Sequence, residues 1–179
     1  PVEVVQEVKK ELGPQTFYKY LKCDSDPPSQ YVIDMPVGQA PNPEFNEIVC
    51  NGKEFAFIGN SKTPQIFFLP LGRPGKFPQK VVSQITSPHG SGINTMSYSP
   101  HNDRIFVSGG EDCKVKLWNL PTEWVEPLHT PVTSFNHTRK VTIAKFSENT
   151  NHLLMTATAH PELYLWDLNN EKQIRNFSS

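Results

Sequence analysis

Apolar and polar residues alternate in the same order in two stretches of the chain, His89–Leu120 and His137–Leu168. The two stretches superimpose without a gap. Their first residues are 48 positions apart, and so are Trp118 and Trp166 near their ends. Agreement at two such distant anchors indicates an internal repeat, and that repeat decides how the rest of the chain is interpreted.

Within each copy, three short apolar segments are separated by turn-forming residues, a pattern typical of an antiparallel β-sheet. The turn after the first segment is Ser99–Asp103 in one copy and Ser147–Asn151 in the other. The period of 48 residues is close to the about 40–45 residues of one propeller blade. The predicted strands lie around Ile93, Met96 and Tyr98, at Ile105–Ser108 and at Val115–Trp118 in the first copy, and around Val141, Ala144 and Phe146, at Leu153–Thr156 and at Leu163–Trp166 in the second.

A weaker third copy lies upstream and ends in Leu69-Pro70-Leu71, where the other copies have Trp-Asn-Leu and Trp-Asp-Leu. Because this copy has no tryptophan, apolar packing alone must hold it together. Each copy also needs a fourth, outer strand. The further predicted strands are Phe45–Val49, Glu54–Gly59 and Gln65–Leu69 in this copy, with outer strands near Lys80–Thr86, Pro131–Phe135 and Lys172–Phe177.

The repeat divides the chain into four segments. Residues 1–39 are predicted to be an N-terminal extension with lead-in strands and a short amphipathic helix, since apolar residues recur at helical spacing over Val2–Leu12 and Gly13-Pro14 ends the run. Residues 40–87 form a degenerate first blade, 88–135 a second blade and 136–179 a third. The predicted fold class is therefore all-β, a β-propeller of which this chain holds about three blades of a larger ring.

The composition agrees with many short elements. Seventeen of the 179 residues are proline, which cannot donate to a sheet ladder and so falls in loops, strand starts and edges. The net charge of −1 gives no overall basic bias towards nucleic acid or anionic lipid. Cys23, Cys50 and Cys113 show neither zinc spacing nor a disulfide framework, and we interpret them as reduced thiols of a cytosolic protein. No apolar run approaches the roughly 18 residues of a membrane span.

Four residues of the His89–Leu120 copy could be mistaken for a catalytic constellation: His89, Ser108, Asp112 and Trp118. A hydrolytic triad also needs an exposed nucleophile and an oxyanion hole, and the sequence suggests neither. The four residues resemble the tetrad of WD40 blades, in which the tryptophan donates to the hydroxyl, the hydroxyl to the histidine and the histidine to the aspartate. The resemblance implies a WD40-type propeller with a buried structural network, and no catalytic residue is assigned.

The following copy keeps His137, Thr156 and Trp166 but has His160 at the position of Asp112. Its network is therefore predicted to be incomplete or closed differently. His137 and His160 could be taken for a metal pair, but no third ligand lies at a suitable spacing. We expect no metal and no cofactor.

The stretch from Pro88 to Leu168 resembles the coronin family. The resemblance rests on the Glu-Asp-Cys turn of SGGEDCKVKLWNLP, on VTSFNHTRKV ahead of the third blade, and on the Leu-Pro-Leu ending of the first. It covers residues 40–179 well and 15–39 loosely. It implies a seven-bladed ring, of which this chain would be the N-terminal region and blades one to three, so the remaining blades are expected elsewhere in a longer protein.

Coronins bind actin filaments, so the resemblance implies a non-enzymatic cytoskeletal scaffold that binds actin filaments and other cytoskeletal proteins in the cytoplasm, at the actin cortex. A WD40 adaptor in trafficking or signalling, without actin affinity, is the alternative. An enzyme or a nucleic-acid module is disfavoured, because the sequence shows no phosphate loop and no basic-aromatic platform. One departure from the family is clear: Ser29–Val37 has no Lys or Arg, so the family's filament-contacting arginine is missing there.

Basic residues supply a candidate partner-binding surface. No acidic residue occurs from Phe55 to Asn102, a stretch that holds Arg73, Lys76 and Lys80 in or next to a loop between the third and fourth strands of the first blade. Arg139 and Lys140 form a second cluster before the third blade. Because actin filaments are acidic, such a surface is predicted to bind them in a salt-dependent way. The alternative, that these are ordinary solvated charges, stays open.

Overall fold

The computed structural model describes residues 32–33, 35, 48–59, 64–72, 75–77 and 82–178. Val32–Ser179 form one compact unit. Every regular element of the described residues is a β-strand, which confirms the all-β prediction. The helix predicted over Val2–Leu12 lies outside the described residues. The strands in chain order are β1 (Val32–Ile33), β2 (Ile48–Cys50), β3 (Glu54–Gly59), β4 (Gln65–Pro70), β5 (Gly75–Lys76), β6 (Gln84–Thr86), β7 (Ile93–Tyr98), β8 (Ile105–Gly110), β9 (Lys114–Asn119), β10 (Thr133–Asn136), β11 (Val141–Phe146), β12 (Leu153–Thr158), β13 (Glu162–Asp167) and β14 (Lys172–Ser178).

Twelve of these strands form three antiparallel sheets of four strands each, in the orders β2-β3-β4-β6, β7-β8-β9-β10 and β11-β12-β13-β14. Each sheet follows the chain from its first strand to its outer strand, as the repeat predicts. The outer strands of the first two sheets are shorter than predicted, since β6 begins at Gln84 and β10 at Thr133. The remaining strands, β1 and β5, pair in parallel. Strand β5 lies within the segment that the sequence predicted to be a loop between the third and fourth strands of the first blade.

The first and second sheets pack face to face around aromatic side chains. Phe68 of β4 meets Phe106 of β8 edge-on, with ring centroids 5.2 Å apart, and Tyr98 of β7 lies beside both rings. Phe68, Phe106 and Trp118 are fully buried in this core. The first sheet thus has no tryptophan of its own but contributes phenylalanine to a shared core, which is the apolar packing expected of it.

The second and third sheets share another core. Val107, Val115 and Phe135 of the second sheet lie against Val141, Leu154 and Trp166 of the third. Polar contacts supplement this packing: the side chain of Asn94 donates to the Val141 carbonyl at 2.8 Å. Because β7 is buried along its whole length, the second sheet is covered on both faces, as a middle blade must be.

The connection between β9 and β10, residues 120–132, crosses back to the first sheet. Its Trp124 stacks on Phe68 with ring centroids 5.2 Å apart. Leu128 exchanges backbone hydrogen bonds with the outer strand β6, donating to Gln84 O at 2.9 Å and accepting from Thr86 N at 3.1 Å. We call residues 120–132 the strap. It covers the edge of β6, which would otherwise present unpaired backbone groups.

Candidate functional site

A chain of hydrogen bonds crosses the second sheet from its interior to a loop. The indole N–H of Trp118 donates to Ser108 Oγ at 3.0 Å. Ser108 Oγ lies 2.8 Å from His89 Nε2, and His89 Nδ1 lies 2.8 Å from Asp112 Oδ1. The four residues come from four places: the loop before β7, strand β8, the β8–β9 turn and strand β9. The network therefore fixes the two loops to the sheet.

The direction of donation follows from the chemistry of the groups. A carboxylate only accepts, so His89 Nδ1 carries a proton for Asp112, and Nε2 of the neutral ring accepts from the Ser108 hydroxyl. Burial lowers the pKa of His89 below its ordinary value in spite of Asp112, which agrees with a neutral ring. Ser108 is fully buried. Its hydroxyl is out of reach of a substrate, so this Ser-His-Asp set cannot act as a hydrolytic triad.

The β8–β9 turn is shaped for this network. Asp112 also accepts from the backbone N–H of Lys114 at 3.2 Å. Cys113 adopts a positive φ of 60°, a left-handed conformation that is uncommon for residues other than glycine. Gly110 faces the imidazole so closely that a Cβ would lie 2.7 Å from His89 Cγ. A side chain at Gly110 would therefore displace His89 from Asp112.

The third sheet contains only part of this network. Trp166 Nε1 donates to Thr156 Oγ1 at 2.9 Å, and Thr156 Oγ1 lies 2.7 Å from His137 Nε2. His137 Nδ1 is enclosed and has no hydrogen-bond partner among the described residues. His160 is exposed. Among the described residues its backbone carbonyl accepts from Thr158 Oγ1 at 3.1 Å and from the backbone N–H of Glu162, and its side chain does not replace Asp112 as an acceptor for His137 Nδ1.

The residue after His160 gives a backbone reason for the open network. The turn of the second sheet has Cys113 at a positive φ, and the equivalent position here is Pro161. The proline ring holds φ near about −65°, so Pro161 cannot adopt that turn. The third sheet therefore differs from the second in both the acceptor and the turn that would present it.

A carboxylate from a different position ties the third sheet to its loop. Glu162 Oε2 accepts from the hydroxyls of Thr138 at 2.6 Å and Tyr164 at 2.9 Å. These hydrogen bonds hold the pKa of Glu162 below its ordinary value. Tyr164 also lies edge-on to His137, with ring centroids 4.8 Å apart. The sequence analysis missed these hydrogen bonds of Glu162. The equivalent positions of the second sheet are Lys114 and Lys116, so comparison of the two copies gave no sign of them.

The part of the chain that the structure describes contains no group of three or more His, Cys, Asp or Glu residues that could hold a metal ion. His137 uses one ring nitrogen on Thr156, and its other nitrogen has no described partner. Over the same residues, no helix is long and apolar enough to cross a membrane.

The candidate basic surface is described only in part. Lys76 is exposed in β5, and Arg139 and Lys140 are exposed in the loop before β11. Arg73 and Lys80 lie outside the described residues. Lys76 belongs to the two-stranded β1–β5 pair, whereas Arg139 and Lys140 lead into the third sheet. The two clusters thus come from different parts of the fold.

Comparisons with known proteins agree with this architecture. Residues 80–119 match the WD40 model, described as "WD domain, G-beta repeat". A solved structure of the WD40 domain of Toxoplasma gondii coronin superimposes with a TM-score of 0.75 at 19% identity, over 84% of this chain and 38% of that one. The predicted WD40-type propeller is therefore confirmed.

Two curated relatives are named as coronins. A coronin-like protein of Schizosaccharomyces pombe is 26% identical over 104 residues, covering 55% of this chain and 17% of the relative. Human coronin-7 is 27% identical over 106 residues, covering 58% of this chain and 11% of the relative. The chain thus spans less than a fifth of the length of either protein. Taken with the fold, these matches show that the chain contains WD40 repeats and is similar to coronins over more than half of its length.

Proposed function

We propose that this chain belongs to a non-enzymatic cytoskeletal scaffold that binds actin filaments and regulates their organisation, in the cytoplasm at the actin cortex. The observation that supports this most directly is the similarity to coronins over 55% and 58% of the chain. The tetrad of His89, Ser108, Asp112 and Trp118 lies in residues 80–119, which match the WD40 model. Filament binding is what the coronin resemblance implies. Propellers of one architecture serve many functions, so the site must be sought on their loops and faces.

The interior of the described sheets supports a scaffold over a catalyst. The polar residues that could resemble a triad are engaged with one another, and His89 and Ser108 among them are buried. Their hydrogen bonds join loops to strands and so stiffen the surfaces that those loops form. A stiff set of loops lowers the entropy cost of binding a large partner.

Charge supports the basic clusters as the filament-binding surface. Lys76, Arg139 and Lys140 are exposed, and Arg73 and Lys80 accompany Lys76 in the acid-free stretch of the sequence. Glu162 lies near enough to Arg139 for that arginine to lower its pKa, so part of the charge of Arg139 is offset locally. Each exposed charge contributes under about 1 kcal/mol to binding, so several must be changed together.

Filament co-sedimentation of the intact protein tests the proposal. We expect Arg73→Glu with Lys76→Glu and Lys80→Glu to lower filament affinity at low salt without altering the melting curve. Arg139→Glu with Lys140→Glu tests the second cluster in the same way. Lys172→Glu, a charge reversal on the exposed outer strand of the third sheet, is the control. Unchanged co-sedimentation by a folded triple variant would remove that surface, and no sedimentation of the wild type would favour the adaptor function.

A further inference from the structure

A cavity of about 460 Å³ opens where the first and second sheets meet. It lies beside the β2–β3 turn, the β7–β8 turn and the root of the strap. Its volume is in the range of ligand sites, which is about 300–1,000 Å³, and neither the tetrad nor the basic clusters use it. Its walls include Asn51, Lys53, Glu54, Asn102, Asp103 and Arg104.

The side-chain oxygens of the two asparagines of this cavity accept hydrogen bonds from the backbone. Asn51 Oδ1 accepts from the N–H groups of Lys53 at 2.9 Å and Glu54 at 2.8 Å. Asn102 Oδ1 accepts from Arg104 N at 3.0 Å. In each amide the oxygen is fixed by these donors, so the NH₂ group is left to donate. Asn51 Nδ2 is enclosed and has no partner among the residues that the structure describes.

The two acids of the lining are already engaged. Asp103 Oδ2 pairs with Lys53 Nζ at 2.5 Å, and Glu54 Oε1 accepts from the Tyr98 hydroxyl at 3.3 Å. Burial raises the pKa of Glu54 above its ordinary value. A cation entering the cavity would have to compete with Lys53 for Asp103 and would meet Arg104 at the same wall.

Arg104 carries the positive charge that is not paired in this way. Its Nε donates to Leu120 O at 2.9 Å, which orients the guanidinium at the strap root. Within the described part of the chain, its two terminal nitrogens have no hydrogen-bond partner. An oriented guanidinium with free terminal donors is the preferred side-chain group for a carboxylate, which it binds through two parallel hydrogen bonds.

We propose that this cavity binds a carboxylate side chain on an acidic surface of a protein partner. Arg104 supplies the charge, and the Asn102 amide supplies a neighbouring donor. The preference of the cavity for a carboxylate is inferred from these contacts alone. Only the identification of the partner as the actin filament rests on the proposed function. The basic clusters attract an acidic partner in general. The cavity adds a specific contact, because its donors have defined positions.

Asn102→Asp tests the cavity with little disturbance of the fold. The aspartate keeps an oxygen for Arg104 N, so the turn survives, but it replaces the free donor with a charged acceptor. Asn149→Asp makes the same change in the corresponding β11–β12 turn and serves as the control. We expect Asn102→Asp in the intact protein to weaken binding of a fluorescent polyglutamate peptide about fivefold or more at low salt, and the control to change it less than about twofold.

Filament co-sedimentation of the same proteins separates this proposal from the proposed function. If the wild type binds both probes and Asn102→Asp weakens both, the two proposals stand together. If the peptide shows the effect but filaments do not bind, the cavity stands and the filament proposal fails. If Asn102→Asp melts early, Arg104→Met, which keeps the aliphatic stem, is measured instead and must show the loss. Equal peptide binding by the folded variant, the control and the wild type overturns the cavity proposal.

Discussion

His89 Nδ1 and Asp112 Oδ1 lie 2.8 Å apart and join the loop before β7 to the β8–β9 turn. At the equivalent place in the third sheet, His137 Nδ1 has no described partner. One chain thus contains the equivalent imidazole with its carboxylate, in the buried His89, and without it, in the half-buried His137. The pair offers an internal comparison of what that hydrogen bond contributes to stability, since fold, solvent and sheet architecture are shared.

Removal of the carboxylate should destabilise the protein more than removal of the histidine that stands in its place. Asp112→Ala leaves His89 with a buried, unsatisfied donor, at a cost of about 1–3 kcal/mol. His160→Ala removes an exposed side chain that makes no hydrogen bond within the described residues, and should cost less than about 0.5 kcal/mol. Thermal melts of the two variants in the intact protein measure the difference. An equal or reversed order would contradict the structural role of the tetrad.

A hydrogen-bond acceptor for His137 Nδ1 should be restored in the third sheet only if the turn after His160 is changed as well. His160→Asp supplies a carboxylate, but Pro161 excludes the left-handed turn that Cys113 provides in the second sheet. Asparagine tolerates that conformation. We expect His160→Asp with Pro161→Asn to raise the free energy of unfolding by about 1 kcal/mol, as a new hydrogen bond to a charged group can. His160→Asp alone is the matched control. If the single variant gains as much as the double, the turn is not the obstacle.

The sequence predicts the positions of these networks well, because both rest on local patterns. The 48-residue repeat aligns His89 with His137 and Trp118 with Trp166, and short apolar runs bounded by turn residues place most of the strands. The prediction that the third copy would be incomplete follows from one aligned residue, His160. Periodicity and alignment are therefore sufficient to predict the fold and the candidate tetrad. The turn that contains Pro161 explains why the third copy differs from the second.

Contacts that depend on irregular segments could not be predicted in this way. The strap has no equivalent in the third sheet, where only residues 168–171 separate β13 from β14. An aromatic residue such as Trp124 in a loop signals an anchor, but its partner Phe68 lies 56 positions earlier in the chain. The cavity of Arg104 is equally non-local, since its lining comes from turns of two sheets and from the strap root. Nothing in the local pattern brings these segments together.

Trp124 should contribute measurably to the coupling of the first two sheets. It is half-buried and stacks on Phe68, whereas its neighbour Val125 is 87% exposed. We expect Trp124→Ala to destabilise the protein by about 1–3 kcal/mol, part from lost apolar burial and part from the lost aromatic pair. Val125→Ala is the control and should leave the melting curve unchanged. Equal melting of both variants would show that the strap does not hold the sheets together.

Acidification should destabilise the protein through His89, which is buried, and His137, which is half-buried. Burial lowers the pKa of His89 and His137 below 6.5, so the unfolded chain takes up these protons first as the pH falls. Each histidine contributes fully to the free energy of unfolding above its pKa in the unfolded chain. That contribution is lost as the pH falls from there through the pKa of the histidine in the folded protein. Urea unfolding should therefore give a stability that is level near pH 7–8 and declines below about pH 6.5.

A histidine variant isolates this effect from other titrating groups. Burial raises the pKa of Glu54, so its contribution has the opposite sign and is lost as the pH rises. His137→Asn should make the decline below about pH 6.5 shallower by removing one protonation site. A wild-type stability profile that stays flat between about pH 7 and 5 would mean that neither His89 nor His137 is held neutral by the fold.

The outward face of the third sheet should make residues 1–179 self-associate when they are expressed alone. The side chains on this face form two cross-strand rows, Ile143-Ala157-Leu163-Phe177 and Lys145-Met155-Leu165-Arg175. Ile143, Met155 and Phe177 are 48%, 43% and 50% exposed. The opposite face of the same sheet is buried against the second sheet. An exposed apolar sheet face and the exposed edge of β14 favour association with another sheet.

Sedimentation velocity of this chain tests the role of that face. We expect the wild-type chain to form concentration-dependent oligomers and Ile143→Lys with Met155→Lys to shift it towards monomer, because two added charges must then be desolvated on contact. Val132→Lys places a charge on an apolar residue of the strap that is 59% exposed and is not part of this face, and should leave the oligomers intact. A monodisperse wild-type chain that melts cooperatively would show that the three sheets are self-sufficient and that this face needs no cover.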